Sequence, residues 1–173
     1  MLGKTLIAAA ALAFAMTGAS VAQTVPSDPQ IAHIAYTAGQ LDIAAAEQAI
    51  NKSKNQEIID FANLMAADHK AVNDQAVALV TKLGVTPEDN PTSQALSKAA
   101  ADKLAELDKL EGAAFDKAYI DNEVAYHKAV NGALSTLLIP SAQNAELKAL
   151  LETGLTLFTE HEKHAEMVAA KFQ

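Results

Sequence analysis

Hydrophobic side chains recur at intervals of three and four residues over two long stretches, between residues 58 and 83 and between residues 147 and 168. This spacing places them on one face of an α-helix, because a helix turns once every 3.6 residues. Alanine is abundant and β-branched residues are scattered singly, so local propensity also favours helix. The two apolar stripes consist of Ile58, Phe61, Ala62, Met65, Val72, Ala76, Leu79, Val80 and Leu83, and of Leu147, Leu150, Leu151, Leu157, Phe158 and Val168.

Helix start and stop signals predict four long helices and one short one. The helices are expected from Ser27-Asp28-Pro29 to about Asn51, from Ser53 (a capping box with Gln56) to Gly84, from about Thr92 to Glu111, from about Ala113 to Leu138 before Pro140, and from Ser141 almost to Phe172. The first and second helices, and the fourth and fifth, are joined by short connections, which makes them antiparallel neighbours. The sequence therefore predicts an all-α fold, an up-and-down four-helix bundle with one additional short helix.

The first 22 residues are predicted to be a cleaved secretory signal peptide. Lys4 precedes an apolar run from Leu6 to Met16, and Ser20 and Ala22 place small residues just before Gln23. The alternative, a retained membrane helix, needs about 20 apolar residues, and this run is interrupted sooner. Residues 23–173 are then expected to form one helical-bundle domain without membrane insertion. The expected location is the periplasm, and an extracellular location is the alternative.

Charge and composition exclude several classes of function. The chain has 13 basic and 21 acidic residues, a formal charge of −8, and every basic residue is lysine. A nucleic-acid partner is not expected, because phosphate backbones need a clustered basic face. The chain has no cysteine, so neither disulfides nor thiolate metal sites are available. Motifs of hydrolases, phosphate loops and dinucleotide sites are also missing, and the sequence identifies no protein partner.

Several polar residues fall on the apolar stripes and are expected to point into the core. His69 lies between Met65 and Val72 in the second helix. The other candidates are Asp42 in the first helix, Glu123 and His127 four residues apart in the fourth, and His161 in the fifth. The helical rise of about 1.5 Å per residue predicts that they all lie in the middle third of the bundle, with a scatter of about 15 Å in depth. A subset of them is therefore expected to meet.

Two interpretations of these inward groups remain open. Burying them unpaired costs several kcal/mol, so they must bind each other or bind something else. In one interpretation they form a hydrogen-bonded network, for example His69 with Glu123 and His161 with Tyr119, in a structural or interaction module. In the other, His69, His127, His161, Asp42 and Glu123 are ligands of one transition-metal ion.

Three segments resemble a known bacterial family. They are Gly39-Gln40-Leu41-Asp42-Ile43, residues 61–69 with the run Met65-Ala66-Ala67-Asp68-His69, and residues 112–119 with the run Gly112-Ala113-Ala114-Phe115-Asp116-Lys117-Ala118-Tyr119; His127 and His161 complete the pattern. On the basis of these segments, the chain resembles the family named domain of unknown function 4142. The resemblance covers about residues 30 to 170. The resemblance implies a ferritin-like, usually exported helical bundle, whose marked positions are Asp68, His69, Asp116, Tyr119, His127 and His161. Where the family usually has glutamate this chain has Asp42, and Glu123 and His164 do not belong to the family pattern.

The predicted metal chemistry is not that of a diiron enzyme. Such a site needs Glu-x-x-His on two helices, and no glutamate in this chain is followed by histidine three residues later. Imidazole and carboxylate ligands suit zinc, copper, nickel or iron better than calcium or magnesium. We expect Asp68, Asp116, Tyr119 and His164 to orient the ligands. The predicted role is non-catalytic metal binding for sequestration, sensing or stress response.

Overall fold

The structure is a computed structural model that describes residues 25–172, so the predicted signal peptide at residues 1–22 lies outside the described residues. The described part is all-α and has no β-strand. Its elements are α1 (Asp28–Lys52), α2 (Gln56–Leu83), α3 (Pro91–Asp108), α4 (Gly112–Ala133), a π-helical turn (Leu134–Leu138), α5 (Ile139–Ser141), α6 (Ala145–Ala169) and a final 3-10 turn (Ala170–Phe172). The predicted fold class is confirmed at this level.

Two of the predicted helix starts are wrong. The second helix begins at Gln56, because Asn55 is its N-cap and accepts a hydrogen bond from the backbone N–H of Glu57 at 3.0 Å. The hydroxyl of Ser53, predicted to form the cap, instead donates to Asp116 at 2.6 Å. The last long helix begins at Ala145 rather than Ser141, with Asn144 as its cap.

The fourth helix continues beyond its predicted end. Its last turn widens into the π-helical turn, and helical backbone then extends through Pro140 to Ser141. Pro140 is accommodated just after the π-helical turn, where the N–H of Ile139 bonds the Leu134 carbonyl five residues back instead of four. Because of this extension and the later start of α6, the residues of α4 and α6 that lie side by side differ from those that the predicted helix bounds would pair.

Contacts between the long helices fix their relative directions. Asn73 on α2 donates to the Tyr36 carbonyl on α1, while Asp42, further along α1, lies beside His69, which is earlier on α2. These two helices are therefore antiparallel. Asn131 on α4 donates to the Phe158 carbonyl on α6, and Lys128 pairs with Glu166, so α4 and α6 are antiparallel as well.

The short helix α3 runs alongside α1 in the same direction. The Gln48 side chain donates to the Leu104 carbonyl at 3.0 Å, and one turn later Lys52 pairs with Asp108. At the opposite end of the molecule, Asp28 at the start of α1 accepts backbone N–H groups of Gln143 and Asn144, both at 2.8 Å. These contacts hold the connections at both ends against α1.

The buried side chains form two apolar clusters. One contains Ala45, Ala46, Ala49, Ile58, Phe61, Ala62, Met65, Leu107, Phe115, Tyr119, Ile120, Ala165 and Val168. The other contains Ile31, Ile34, Leu134, Leu138, Ala142, Leu147, Leu151 and Phe158. Along α1, α4 and α6, buried acidic and histidine residues fall between the positions that enter the two clusters. The fold therefore has a polar layer in the middle of an otherwise apolar core.

Between residues 25 and 172, no helix combines the length and the apolarity needed to cross a membrane.

Candidate metal centre

Four helices each place at least one candidate ligand in the polar layer. These residues lie on the same faces as the apolar stripes, and the stripes bury them. The side chains of Asp42 on α1, His69 on α2, Glu123 and His127 on α4, and His161 on α6 are each at most 4% exposed. The structure thus buries all five candidate ligands that the sequence predicts.

Three ligand atoms from three helices form a nearly equilateral triangle. The two Nε2 atoms of His69 and His127 are 3.4 Å apart. The Oδ2 atom of Asp42 lies 3.6 Å from the first and 3.7 Å from the second. A point equidistant from three atoms with these separations lies about 2.1 Å from each. That length matches metal–nitrogen and metal–oxygen bonds of about 2.0–2.2 Å for zinc. The triangle can therefore hold an ion without moving its three atoms.

His161 and Glu123 lie within reach of the same triangle. Ligand atoms of His69, His127 and His161 are all within 4.8 Å of one another, and so are ligand atoms of Asp42, Glu123 and His127. The two groups share His127. His161 thus adds a candidate nitrogen beside His69 and His127, and Glu123 adds a candidate oxygen beside Asp42 and His127.

Hydrogen bonds determine which nitrogen of two imidazoles is free to bind a cation. His127 Nδ1 lies 3.0 Å from the Glu123 backbone carbonyl. Because a carbonyl only accepts, Nδ1 carries the proton and Nε2 of the neutral ring keeps its lone pair. His161 Nε2 donates to Asp68 Oδ2 at 2.9 Å, so Nδ1 of His161 keeps its lone pair. Metal-binding histidines usually have this arrangement, with the other ring nitrogen bonded to a carbonyl or carboxylate.

Unpartnered polar atoms are concentrated in this layer. Eight buried side-chain nitrogen or oxygen atoms in the described part of the chain have no hydrogen-bond partner there. Five of them belong to candidate ligands, namely Asp42 Oδ1 and Oδ2, His69 Nδ1, Glu123 Oε2 and His161 Nδ1. Each such atom costs about 1–3 kcal/mol when it is buried without a partner.

Burial keeps the three histidines neutral. It lowers the pKa of His69 to about 3, with repulsion from His127 and His161 adding to the effect. It lowers the pKa of His127 to about 4. The pKa of His161 is also lowered by burial, although the Asp68 carboxylate opposes the shift. At neutral pH the rings are therefore in the form that binds metal ions.

Burial has the opposite effect on the acidic groups, since it also disfavours their charged form. It raises the pKa of Asp42 to about 7. It raises the pKa of Glu123 well above its usual range, and the neighbouring Asp42 raises it further. A cation in the triangle would stabilise the ionised form of both groups.

A comparison with known families decides the affiliation of the chain. A sequence model described as Domain of unknown function (DUF4142) matches residues 13–168. The chain belongs to the DUF4142 family. This confirms the resemblance stated from the sequence. No curated protein and no solved structure matches the chain.

The expected scatter in depth is wrong for this DUF4142 protein. The helical rise predicts a scatter of about 15 Å in depth, but the ring centroids of His127 and His161, from two different helices, are 5.5 Å apart. The helical run that contains His127 extends to Ser141, and α6 starts only at Ala145. His127 precedes the first end by fourteen residues, and His161 follows the second by sixteen. The two rings are therefore separated from the same turn by similar numbers of residues, and they lie at a similar height along the bundle axis.

The hydrogen-bond pairs suggested for a metal-free network are also different in the structure. His69 faces His127 rather than Glu123, and His161 bonds Asp68 rather than Tyr119. The Tyr119 hydroxyl is fully buried and has no partner among the described residues.

The four residues expected to orient the ligands have different positions. Asp68 holds His161, as described above. Burial raises the pKa of Tyr119 well above its usual range, and the charges of Glu123 and Asp42 add to the shift. Asp116 bonds Ser53 at the turn between α1 and α2, and His164 packs edge-on against Phe61. Neither the Asp116–Ser53 bond nor the His164–Phe61 contact involves a candidate ligand.

Sequence reasoning missed the role of Phe158. Its ring stacks on His69, with centroids 4.5 Å apart and an interplanar angle of 10°, and it meets His127 edge-on at 6.5 Å. Phe158 was assigned to the apolar stripe alone. Its position three residues before His161 is the only sequence signal that links it to the site.

Proposed function

We propose that this DUF4142 protein binds one transition-metal ion between Asp42, His69 and His127, with His161 and Glu123 as additional ligands. The triangle of ligand atoms carries the proposal, since its sides of 3.4, 3.6 and 3.7 Å fit an ion at ordinary bond lengths. Three separate helices supply the three atoms. Neutral imidazoles and buried carboxylates then meet the charge and donor requirements of a divalent cation.

The donor set favours zinc, copper, nickel or iron. Three nitrogen donors and at most two carboxylates are available, and the chain has no cysteine. Calcium and magnesium prefer sites made of oxygen ligands alone. The ligand side chains are at most 4% exposed, which leaves little room for a substrate and favours a binding role over catalysis.

The alternative, a hydrogen-bonded network without metal, fits the unpartnered atoms less well. Such a network stabilises a core when its members satisfy each other. A protonated Glu123 can donate one hydrogen bond to Asp42, but one nitrogen each of His69 and His161 still has no partner among the described residues. A bound cation and its remaining ligands would satisfy most of them.

We also propose that the long helices form a ferritin-like four-helix bundle. In it α4 is antiparallel to α1 and therefore parallel to α2, so the predicted up-and-down order holds only when α3 is counted. The antiparallel pairs α1–α2 and α4–α6, the contact between α2 and α6 through Asp68 and His161, and α3 as an accessory helix beside α1 support this arrangement. The absence of Glu-x-x-His pairs from the sequence argues against diiron chemistry in such a bundle.

Export to the periplasm belongs to the same proposal. It rests on the pattern of residues 1–22, with an extracellular location as the alternative. In that compartment, a buried and thiolate-free site would serve metal sequestration, metal sensing or a stress response.

Metal titration tests the proposal. Protein freed of metal with a chelator is titrated calorimetrically with Zn²⁺, Cu²⁺, Ni²⁺ and, without oxygen, Fe²⁺. We expect one equivalent of at least one ion to bind. His69→Ala, His127→Ala and Asp42→Asn should each weaken binding by about 100-fold or more, because each removes one atom of the triangle.

His33→Ala is the matched control, because His33 lies on α1 and pairs only with Thr37 and Asp89 near the surface. It should bind as the wild type does. Circular dichroism of each variant separates loss of a ligand from loss of the fold. A folded wild-type chain that binds none of the four ions would overturn the proposal.

A further inference from the structure

The candidate metal centre is connected to solvent through His161 and its partner Asp68. The side chains of Asp42, His69, Glu123, His127 and His161 are 0–4% exposed, whereas that of Asp68 is 33% exposed. Asp68 precedes His69 on α2, so adjacent residues of one helix place a carboxylate near the surface and an imidazole in the interior. An ion that approaches from this side meets the Asp68 carboxylate first.

His161 links this surface carboxylate to the interior. Its Nε2 atom donates to Asp68 at 2.9 Å. Its other nitrogen, Nδ1, is buried and has no partner among the described residues. The His161 ring centroid lies 5.4 Å from that of His69 and 5.5 Å from that of His127. One side chain on α6 therefore contacts both the accessible carboxylate and the buried triangle.

We propose that Asp68 and His161 form the path by which a metal ion enters and leaves the centre, an inference that rests on the proposed function. The Asp68 carboxylate binds the incoming cation near the surface. His161 keeps its Nε2–H bond to Asp68 and receives the ion on its free Nδ1 atom, from which the ion passes to Asp42, His69 and His127. Release follows the same steps in reverse, so Asp68 sets the rate of exchange more than the final affinity.

Stopped-flow kinetics test this proposal. The probe is Zn²⁺, Cu²⁺, Ni²⁺ or Fe²⁺, whichever the wild-type chain binds most tightly at equilibrium. Association is followed on mixing with the metal, and dissociation on mixing the loaded protein with excess chromophoric chelator. Asp68→Asn keeps an acceptor for His161 and removes only the charge. We expect it to slow both association and dissociation by about tenfold, within the range by which local charge changes the capture of ions, while Kd changes by less than about threefold.

Two variants control for other effects. Asp60→Asn makes the same charge change on the exposed face of α2, where Asp60 bonds only Gln56, and should load at the wild-type rate. Asp68→Glu restores the carboxylate and should recover most of the wild-type rate. Rescue by Asp68→Glu also excludes a folding defect as the cause of slow loading.

The outcomes separate this proposal from the proposed function. If Asp68→Asn associates at the wild-type rate and only dissociates faster, Asp68 merely positions His161 and the path is wrong, although the metal site remains. The path is also wrong if Asp60→Asn slows loading equally, since a general surface charge would then explain the effect. If the wild-type chain binds none of the four ions, both proposals fail.

Discussion

The buried imidazoles of His69 and His127 make this protein sensitive to acid. Each is at most 2% exposed, and desolvation makes a charged ring unfavourable at that depth. The unfolded chain takes up a proton on each ring near pH 6.5, whereas the folded chain does so near pH 3 for His69 and near pH 4 for His127. Between these values the unfolded state binds more protons. Stability contributed by these residues therefore rises with pH across this window and is lost on acidification.

His127→Gln should remove one part of this acid sensitivity. The measurement is made in the presence of a chelator. As the pH falls from 7 to 4, we expect the free energy of unfolding of the wild type to fall by about 3 kcal/mol more than that of the variant. Asp42 acts in the opposite direction. Because its pKa is raised in the folded chain, its contribution to the free energy of unfolding falls as the pH rises from about 4 to 7. The difference between variant and wild type isolates His127. Urea unfolding at several pH values provides the measurement.

His33→Gln is the control for this experiment, because it replaces a half-buried histidine of α1 outside the polar layer. It leaves His69 and His127 in place and should therefore keep the loss of stability on acidification that these two residues cause. A His127→Gln variant with the same pH dependence as the wild type would mean that His127 is protonated as easily in the folded as in the unfolded chain.

At the scale of the helices, the contact between α1 and α2 depends on the absence of a side chain at Gly39. A Cβ atom placed there would lie 2.9 Å from Asn73 Cγ, which is closer than real Cβ atoms approach such a neighbour. Asn73 is 4% exposed and donates to the Tyr36 carbonyl, so it has little freedom to move. Gly39 precedes Asp42 by three residues, and Asn73 follows His69 by four. This close approach therefore helps to set the distance between the two ligands.

Gly39→Ala should destabilise the fold by about 1–3 kcal/mol, because overpacking in a close contact costs that much. It should also weaken metal binding, since it separates Asp42 from His69. Helix propensity alone predicts the opposite sign, about 1 kcal/mol of stabilisation. Thermal and urea unfolding measure the first effect, and metal titration measures the second.

Gly132→Ala provides the matched control on α4. No atom lies within 4 Å of a Cβ placed at Gly132, so only helix propensity acts and the variant should be stabilised by up to about 1 kcal/mol. Equal stabilisation by Gly39→Ala would show that α1 and α2 can shift without cost. The double variant Gly39→Ala with Asn73→Ala should recover metal affinity relative to Gly39→Ala alone.

At the scale of the whole molecule, the polar layer separates two apolar clusters and joins four helices. A metal ion that binds only the folded chain stabilises it by mass action. At a free concentration of 100 times Kd the gain is about 2.7 kcal/mol. For a domain of this length, that corresponds to a rise in Tm of roughly 5–10 °C.

We therefore expect the bound ion of the titration above to raise the Tm of the wild-type chain by this amount, and a chelator to reverse the rise. Differential scanning calorimetry with and without metal measures it. His127→Ala should show no rise, whereas His33→Ala should show the full rise. A metal-induced rise in His127→Ala as large as in the wild type would place the ion elsewhere in the molecule.

Local sequence patterns were enough to predict the fold class, the position of most helices and the identity of the residues in the polar layer. Apolar stripes of period 3.6 are local properties, because a helix fixes which residues share a face. Any polar residue on such a stripe, such as His69 or His127, must be buried once the stripe is buried. This is why all five candidate ligands could be identified without coordinates.

Which of these atoms meet depends on how the helices pack, and the sequence pattern does not predict it. The register between helices depends on where each connection begins and ends, and the true starts at Gln56 and Ala145 differ from the predicted ones by three and four residues. An error of four residues moves a side chain by about 6 Å along a helix, which is larger than the whole triangle of ligand atoms. The bond between His161 and Asp68, the stacking of Phe158 on His69 and the close approach at Gly39 all join residues from different helices. No local pattern encodes such contacts, because they depend on the packing of complete helices against each other.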